Sequence, residues 1–277
     1  MAYDDFEESV DLGRPFFLYK LDDGVTVQRM TTLTVDKSAD PEATGTDQTW
    51  TASPVAHSEI RETGNIEKND LNLTLPISDT IAKTYLSAKG NTTFLTVWRS
   101  HLDDPDEEYQ VVAKERIVSG EPKGNTIVIK TESIFTSARF GGRRSRFQKS
   151  CRHALYFKGC NLNRADFETA ATVSAIDGNT LTISEAADQV DGYYKSGIVN
   201  YGGLFGWIAD HTGDQVTLTF PIVGLADDVT TNGSASVKIA PGCDRSLTTC
   251  IAKFDNGDNH GGYKWMPELN PYSTSVV

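Results

Sequence analysis

Along the first 140 residues, short runs of β-branched and aromatic side chains alternate with polar turn formers. RPFFLYKL (14–21), TVQRMTTLTV (26–35), LNLTLPI (71–77), TTFLTVWRS (92–100) and YQVVAKERIV (109–118) suit a pleated, half-buried surface and predict strands. GEPKGNTIVIKT predicts a hairpin, because Gly124 and Asn125 tolerate the left-handed backbone of a tight turn. A helical period occurs once in this half, in SDTIAKTYLSAKG (78–90). There Ile81, Ala82, Tyr85 and Leu86 share a face, Ser78 or Asp79 caps the first amides, and Gly90 closes the end. Residues 36–54 lack periodicity and predict a loop. HLDDPDEE (101–108) predicts a solvated acidic corner, since it lacks the ligand spacing and glycine of a calcium loop.

The second half repeats the strand signal. VSAIDGNTLTIS and GWIADHTGDQVTLTF each place turn residues, Asp177 to Asn179 and His211 to Asp214, between β-prone runs. GYYKSGIVNYGGLFGW (192–207) predicts a tightly packed strand pair. The tail after Phe254 carries aromatics and turn formers without a period, and is expected to wrap over something already folded. The fold class is therefore mainly β. We expect a β-barrel-like N-terminal domain over 1–138 and a cysteine-bearing C-terminal domain over 139–277, with a small β module inserted at about 165–240.

Composition narrows the function classes. A chain of 277 residues, 38% hydrophobic, buries a sizeable core without covalent staples. The formal net charge of −12 argues against sequence-independent nucleic-acid binding, which rewards a broadly basic surface. MAYDDFEESV carries acids where a secretory signal carries a basic region and an apolar run, and no apolar stretch approaches the length of a membrane span. The expectation is a chain folded in a reducing cytosol with no bilayer crossing, where stable disulfides are uncommon.

One stretch reverses the overall charge. Eight Lys or Arg lie between Arg139 and Arg164, and no Asp or Glu between Ser133 and Ala165. Within it stand Cys151 and Cys160; the only other cysteines are Cys243 and Cys250. Nearby positive charge lowers a thiol pKa and favours a bound anionic centre, so the basic block and the first pair can form one site. Equally, the block suits an arm docking on an acidic partner. The cysteines admit several chemistries. Structural zinc usually draws on pairs two to four residues apart, whereas gaps of eight and six suit a larger object such as an iron–sulfur cube. Two disulfides, or a catalytic Cys151 with His153, His211 or His260 as base, are further readings. A glycine-rich phosphate loop, a serine nucleophile elbow and a compact three-cysteine radical motif are missing. Spacing alone does not choose.

The run RFQKSCRHALYFKGC, followed after the insertion by PGCDRSLTTCIAKFDNGDNHGGY, resembles the cysteine-bearing domain of the phage tail tip, or hub, protein family, including tail tip protein L of phage lambda and a hub protein of gene transfer agents. The matching residues are Gly242, Cys243, Asp244, Lys253, Phe254, Asn256, Gly261, Gly262 and Tyr263. Specific matching covers residues 139–164 and 240–265, and the N-terminal half is similar through FFLYKL, RSH and the strand pattern. The resemblance implies a non-enzymatic structural protein of the virion tail tip, assembled in the host cytoplasm, with Cys151, Cys160, Cys243 and Cys250 each ligating one iron of a [4Fe–4S] cluster; zinc is the alternative. Arg143, Arg144, Arg146, Lys149 and Arg152 would offset the cluster charge. The implied assembly is a homotrimer joining a six-fold distal tail protein ring to a three-fold central spike or fibre protein, with the tape measure protein as a further partner. A tail-associated cysteine-dependent cell-wall hydrolase and a disulfide-bonded receptor-binding module are the rival functions.

Overall fold

The computed structural model describes residues 3–9, 13–60, 71–139 and 147–266. The chain divides into two compact units, 1–141 and 142–277. Both are mainly β, and no helix among the described residues is long and apolar enough to cross a membrane.

The first unit contains α1 (Tyr3–Glu8), β1 (Pro15–Asp22), β2 (Val27–Thr31), β3 (Lys37–Ala39), β4 (Gln48–Ala52), β5 (Ala56–His57), β6 (Asn72–Pro76), α2 (Thr80–Thr84), β7 (Ala88–Lys89), β8 (Phe94–His101), β9 (Gln110–Lys123) and β10 (Thr126–Ser133). Nine of these strands form one sheet in the order β3-β4-β2-β1-β8-β9-β10-β6-β5. β1 shows why its sequence is apolar at nearly every position. Phe16 and Leu18 join Trp50 and Trp98 in one core cluster, while Tyr19 and Leu21, with Phe17 against them, join Leu95, Val97, Ile127 and Ile129 in another. A strand buried on both faces reads as a continuous hydrophobic run.

Three expectations change here. The segment 36–54 is not all loop: it holds β3 and β4, and β4 pairs parallel with β2, Met30 opposite Thr51. Trp50, 1% exposed, anchors the segment by packing edge-on against Trp98 and donating its indole N–H to the Ala39 carbonyl at 3.1 Å. The predicted helix keeps its cap but is short. Asp79 Oδ1 accepts from the Ile81 amide at 2.7 Å, yet the helix ends at Thr84, and Ala88–Lys89 is extended rather than helical up to Gly90. The acidic corner is built around a buried carboxylate, Asp104, which accepts from the Asp106 and Glu108 amides at 3.0 Å each.

The closed barrel lies in the second unit, and the N-terminal sheet has two free ends among the described strands. β11 (Thr169–Asp177), β12 (Thr180–Ile183), β13 (Ile198–Tyr201), β14 (Leu204–Thr212), β15 (Gln215–Leu218) and β16 (Ala235–Ala240) run in the order β13-β16-β11-β12-β15-β14, and β13 pairs with β14 to close the ring. Inward positions alternate as the pleat requires, with Val173, Leu181, Ile183, Val199, Ile208, Val216, Val237 and Ile239 forming the core. Leu225 of α3 (Leu225–Asn232) belongs to the same core, and Val229 packs against it. The predicted hairpins are present: Gly178 turns β11 into β12 with φ +58°, and β13 runs into β14 through Gly202 and Gly203. The first and last strands are neighbours, with Thr169 opposite Ile239. The chain therefore enters and leaves the barrel side by side, and the cysteine segments extend from these two ends.

Candidate metal centre

Cys151 and Cys160 lie on the segment entering the barrel, and Cys243 and Cys250 on the segment leaving it. The entering segment folds on itself through left-handed residues Tyr156, Gly159 and Asn161. The Cys160 and Asn161 amides both donate to the Phe157 carbonyl at 3.1 Å. Tyr156 anchors this turn by donating its hydroxyl to the Pro241 carbonyl at 2.8 Å and packing near Phe167 and Phe254.

The leaving segment starts at a forced contact. A side chain at position 242 would place Cβ 1.8 Å from the Lys195 carbonyl oxygen and 2.5 Å from the Gly197 nitrogen. Only glycine lets the chain run against the barrel wall here, and Cys243 is held beside it. The helix α4 (Leu247–Phe254) then begins where Ser246 Oγ accepts from the Thr249 amide at 3.1 Å. Cys250 and Phe254, four residues apart, form its buried face. The two segments are tied by main-chain bonds: the Cys151 amide donates to the Arg245 carbonyl at 2.9 Å, and the Tyr263 amide to the Gln148 carbonyl at 2.9 Å.

All four cysteines line one cavity of about 460 Å³, together with His153, Leu155, Phe254 and His260 among others. Cys151, Cys160 and Cys250 are buried and Cys243 is partly so; all four are free thiols. Main-chain donors face two of the sulfurs. The Arg245 amide donates to Cys243 Sγ and the Gly261 amide to Cys151 Sγ, both at 3.3 Å. Among the described residues, no three His, Cys, Asp or Glu side chains come close enough to share a single ion. Burial pushes the Cys250 thiol up, as do the neighbouring Cys243, Cys151 and Cys160. Burial likewise raises Cys243, with Asp244, Cys151 and Cys160 adding to it against the Arg245 amide. A cavity lined with soft sulfur donors, some already met by N–H groups, is chemically suited to a polynuclear iron–sulfur centre.

Of the five basic residues expected to offset the cluster charge, two are among the described residues. Arg143, Arg144 and Arg146 fall outside the described residues, and Lys149 and Arg152 are exposed. Neither Lys149 nor Arg152 contributes to the shifts of Cys243 and Cys250, which move upward rather than down. Lys253 is a half-buried cation near Cys243. Its ammonium donates to the Gly242 carbonyl at 2.8 Å and to the Tyr193 carbonyl, and sits 3.9 Å from the Tyr193 ring centroid. Burial lowers its pKa to about 8, against the pull of Cys243 and Asp244. The signal for Lys253 was its place among the residues resembling the hub family, without any hint of its role.

The three histidines considered as bases have other settings. His211 is inside the barrel, its Nε2 3.2 Å from the Ala186 carbonyl and its ring edge-on to Tyr194. His153 is wedged between two glycines: a Cβ on Gly159 would approach its Nδ1 to 2.2 Å, and one on Gly261 its Cδ2 to 2.4 Å. His260 Nε2 lies 3.3 Å from the Arg245 carbonyl, and its Nδ1 accepts from the Gly262 amide. Among the described residues none of these rings hydrogen-bonds a cysteine sulfur.

Residues 192–270 match the family described as phage conserved hypothetical protein BR0599. Comparison with curated proteins gives no match. Among solved structures, the whole chain is similar to a chain of the "Virion of native gene transfer agent (GTA) particle". It covers 96% of that chain at 17% identity with a TM-score of 0.70. At that identity the likeness establishes a shared fold spanning both units.

Proposed function

We propose that this chain is a structural protein of a tailed phage-like particle, acting as the hub at the tail tip, and that Cys151, Cys160, Cys243 and Cys250 hold a [4Fe–4S] cluster there. The observation carrying the reading is that all four cysteines line one cavity. Two pairs, separated in sequence by an entire barrel, line one cavity with main-chain N–H groups already directed at Cys151 and Cys243. The full-length likeness to a virion chain and the phage family match over residues 192–270 support the particle.

The residues present suit the chemistry. Burying an anionic centre is costly without donors and counter-charge; Arg245 N, Gly261 N and Lys253 provide both. Four protein thiolates leave no iron position for substrate, so the role is to clamp the entering and leaving segments together. In this reading the hub is a trimer seated between the distal tail protein ring and the central spike or fibre protein, in contact with the tape measure protein, and its net negative charge contributes polar complementarity to those neighbours.

The test is iron and acid-labile sulfide on protein purified without oxygen, with the visible spectrum. About four of each per chain is the expected result; iron-free protein, or one zinc per chain, overturns the cluster. Cys151→Ser separates the enzymatic rival: loss of colour together with lower stability favours the clamp, whereas a stable, colourless protein lacking a wild-type hydrolytic activity favours a nucleophile. Sedimentation of the purified chain, alone and mixed with distal tail protein, tests the trimer and its placement.

A further inference from the structure

Asn256 touches both cysteine pairs. Its amide nitrogen donates to the Cys250 carbonyl at 3.0 Å, and its carbonyl accepts from the Cys250 thiol at 3.1 Å, a bond present only while that sulfur is protonated. Its side-chain Nδ2 donates to the Cys160 carbonyl at 2.7 Å and lies 3.6 Å from Cys160 Sγ. The orientation of that side chain is fixed by a relay: Asn259 Nδ2 donates to Asn256 Oδ1 at 2.7 Å, and Asn161 Nδ2 donates to Asn259 Oδ1 at 3.1 Å. With Oδ1 occupied, the donor end must face Cys160. The residue is 7% exposed, so neither end is left to water.

We propose that Asn256 is a positioning residue that sets the second cysteine pair in register with the first and supplies an N–H···S bond to Cys160 when that sulfur is a metal-bound thiolate. This inference rests on the iron–sulfur reading above. A thiolate is a stronger acceptor than a thiol, and a donor beside it stabilises added negative charge, so the bond favours the reduced form of the centre. Arg245 N and Gly261 N play the equivalent part at Cys243 and Cys151 but belong to the main chain. Asn256 is a donor that substitution can remove.

The decisive experiment uses full-length protein purified without oxygen. Asn256→Leu keeps the size and the main-chain bonds and deletes the donor. Relative to wild type we expect a more negative midpoint potential in a dithionite titration, an altered electron paramagnetic resonance spectrum of the reduced protein, and iron loss to a chelator accelerated about 10-fold. Unchanged potential and unchanged iron loss in an iron-loaded variant overturn the inference. Should Asn256→Leu fail to fold or load, Asn259→Ala decides. It removes the residue orienting the amide and leaves Cys160 untouched, and it should move the potential in the same direction; no movement overturns the proposal. Wild-type protein without iron and sulfide is a separate result, which sinks the cluster itself.

Discussion

Gly242→Ala puts the closest contact of the cysteine site under test. The added Cβ would meet the Lys195 carbonyl oxygen at 1.8 Å and the Ser196 carbon and Gly197 nitrogen at 2.5 Å. These are main-chain atoms of a tethered segment. The Ser196 amide donates to Ile208 O at 2.9 Å, the Gly197 amide to Tyr194 O at 2.8 Å, and the Ile208 amide to Gly197 O at 3.0 Å. Relief therefore requires parting the leaving segment from the barrel by more than an ångström. Overpacking a tight site costs about 1–3 kcal/mol, and this contact belongs at the top of that range. About 3 kcal/mol is roughly a 150-fold change in the folding equilibrium, and a fall in melting temperature of about 6–12 °C for a unit of this size. Gly178→Ala is the control. It has open space around its Cβ but φ +58°, so it isolates the left-handed backbone cost of about 1–2 kcal/mol. Scanning calorimetry of the full chain, with iron analysis of the same samples, reads both effects. Gly242→Ala should melt lower than Gly178→Ala and, if the proposed cluster is bound, retain less iron, because Cys243 is the next residue. A Gly242→Ala protein as stable as Gly178→Ala would refute the reasoning.

Lys253→Met removes the ammonium that meets the Gly242 and Tyr193 carbonyls and the Tyr193 ring; a loss of about 2–4 kcal/mol is expected, read from the denaturant midpoint. Asp23 is held below its usual 3.8 by the amide of Thr26, with Val25 N, Thr26 Oγ1 and Lys89 assisting against burial. Since its folded pKa is depressed, its contribution is complete above the unfolded value and lost as pH falls through the folded one. Asp23→Asn should thus cost about 1–2 kcal/mol at neutral pH, with the difference from wild type shrinking below about pH 4, as thermal melts across pH will show. In iron-free protein, Cys243 and Cys250, both raised by burial and by the nearby Cys151 and Cys160, should react with iodoacetamide more slowly than a free cysteine at about pH 8. Alkylation as fast as that of the unfolded chain would contradict it.

Legibility in the sequence followed how local each cause is. β1 was plain because burial on two faces leaves an unbroken apolar run, and the hairpin at Gly178 because its turn chemistry is contained in three residues. The strand β4 was hidden: its turn-rich surroundings say loop, and only the parallel partner β2 and the distant Trp98 make it a strand. The helix α4 was also missed. Thr248, Thr249 and Ile251 weaken its propensity, and it is stabilised instead by the Ser246 cap and by burying Cys250 with Phe254; the cap, three residues ahead of Thr249, was the available signal. At the site, the grouping of the cysteines into two close pairs is visible in the sequence, and their lining of one cavity is not. The contacts of Lys253 with Tyr193 and of Asn256 with Cys160 could not be read there, since these partners lie 60 and 96 positions away.

The side-by-side entry and exit of the barrel have a topological consequence. Strands β11 and β16 pair with Thr169 opposite Ile239, so the closed module behaves toward its flanks as a reverse turn does toward two strands. Whatever entropy is needed to bring the sulfur-bearing arms to one place has been spent by the module's own folding, which uses no cysteine. Any replacement domain whose ends emerge equally close should serve, leaving the outer surface of the module free to diversify while its two stems stay constant.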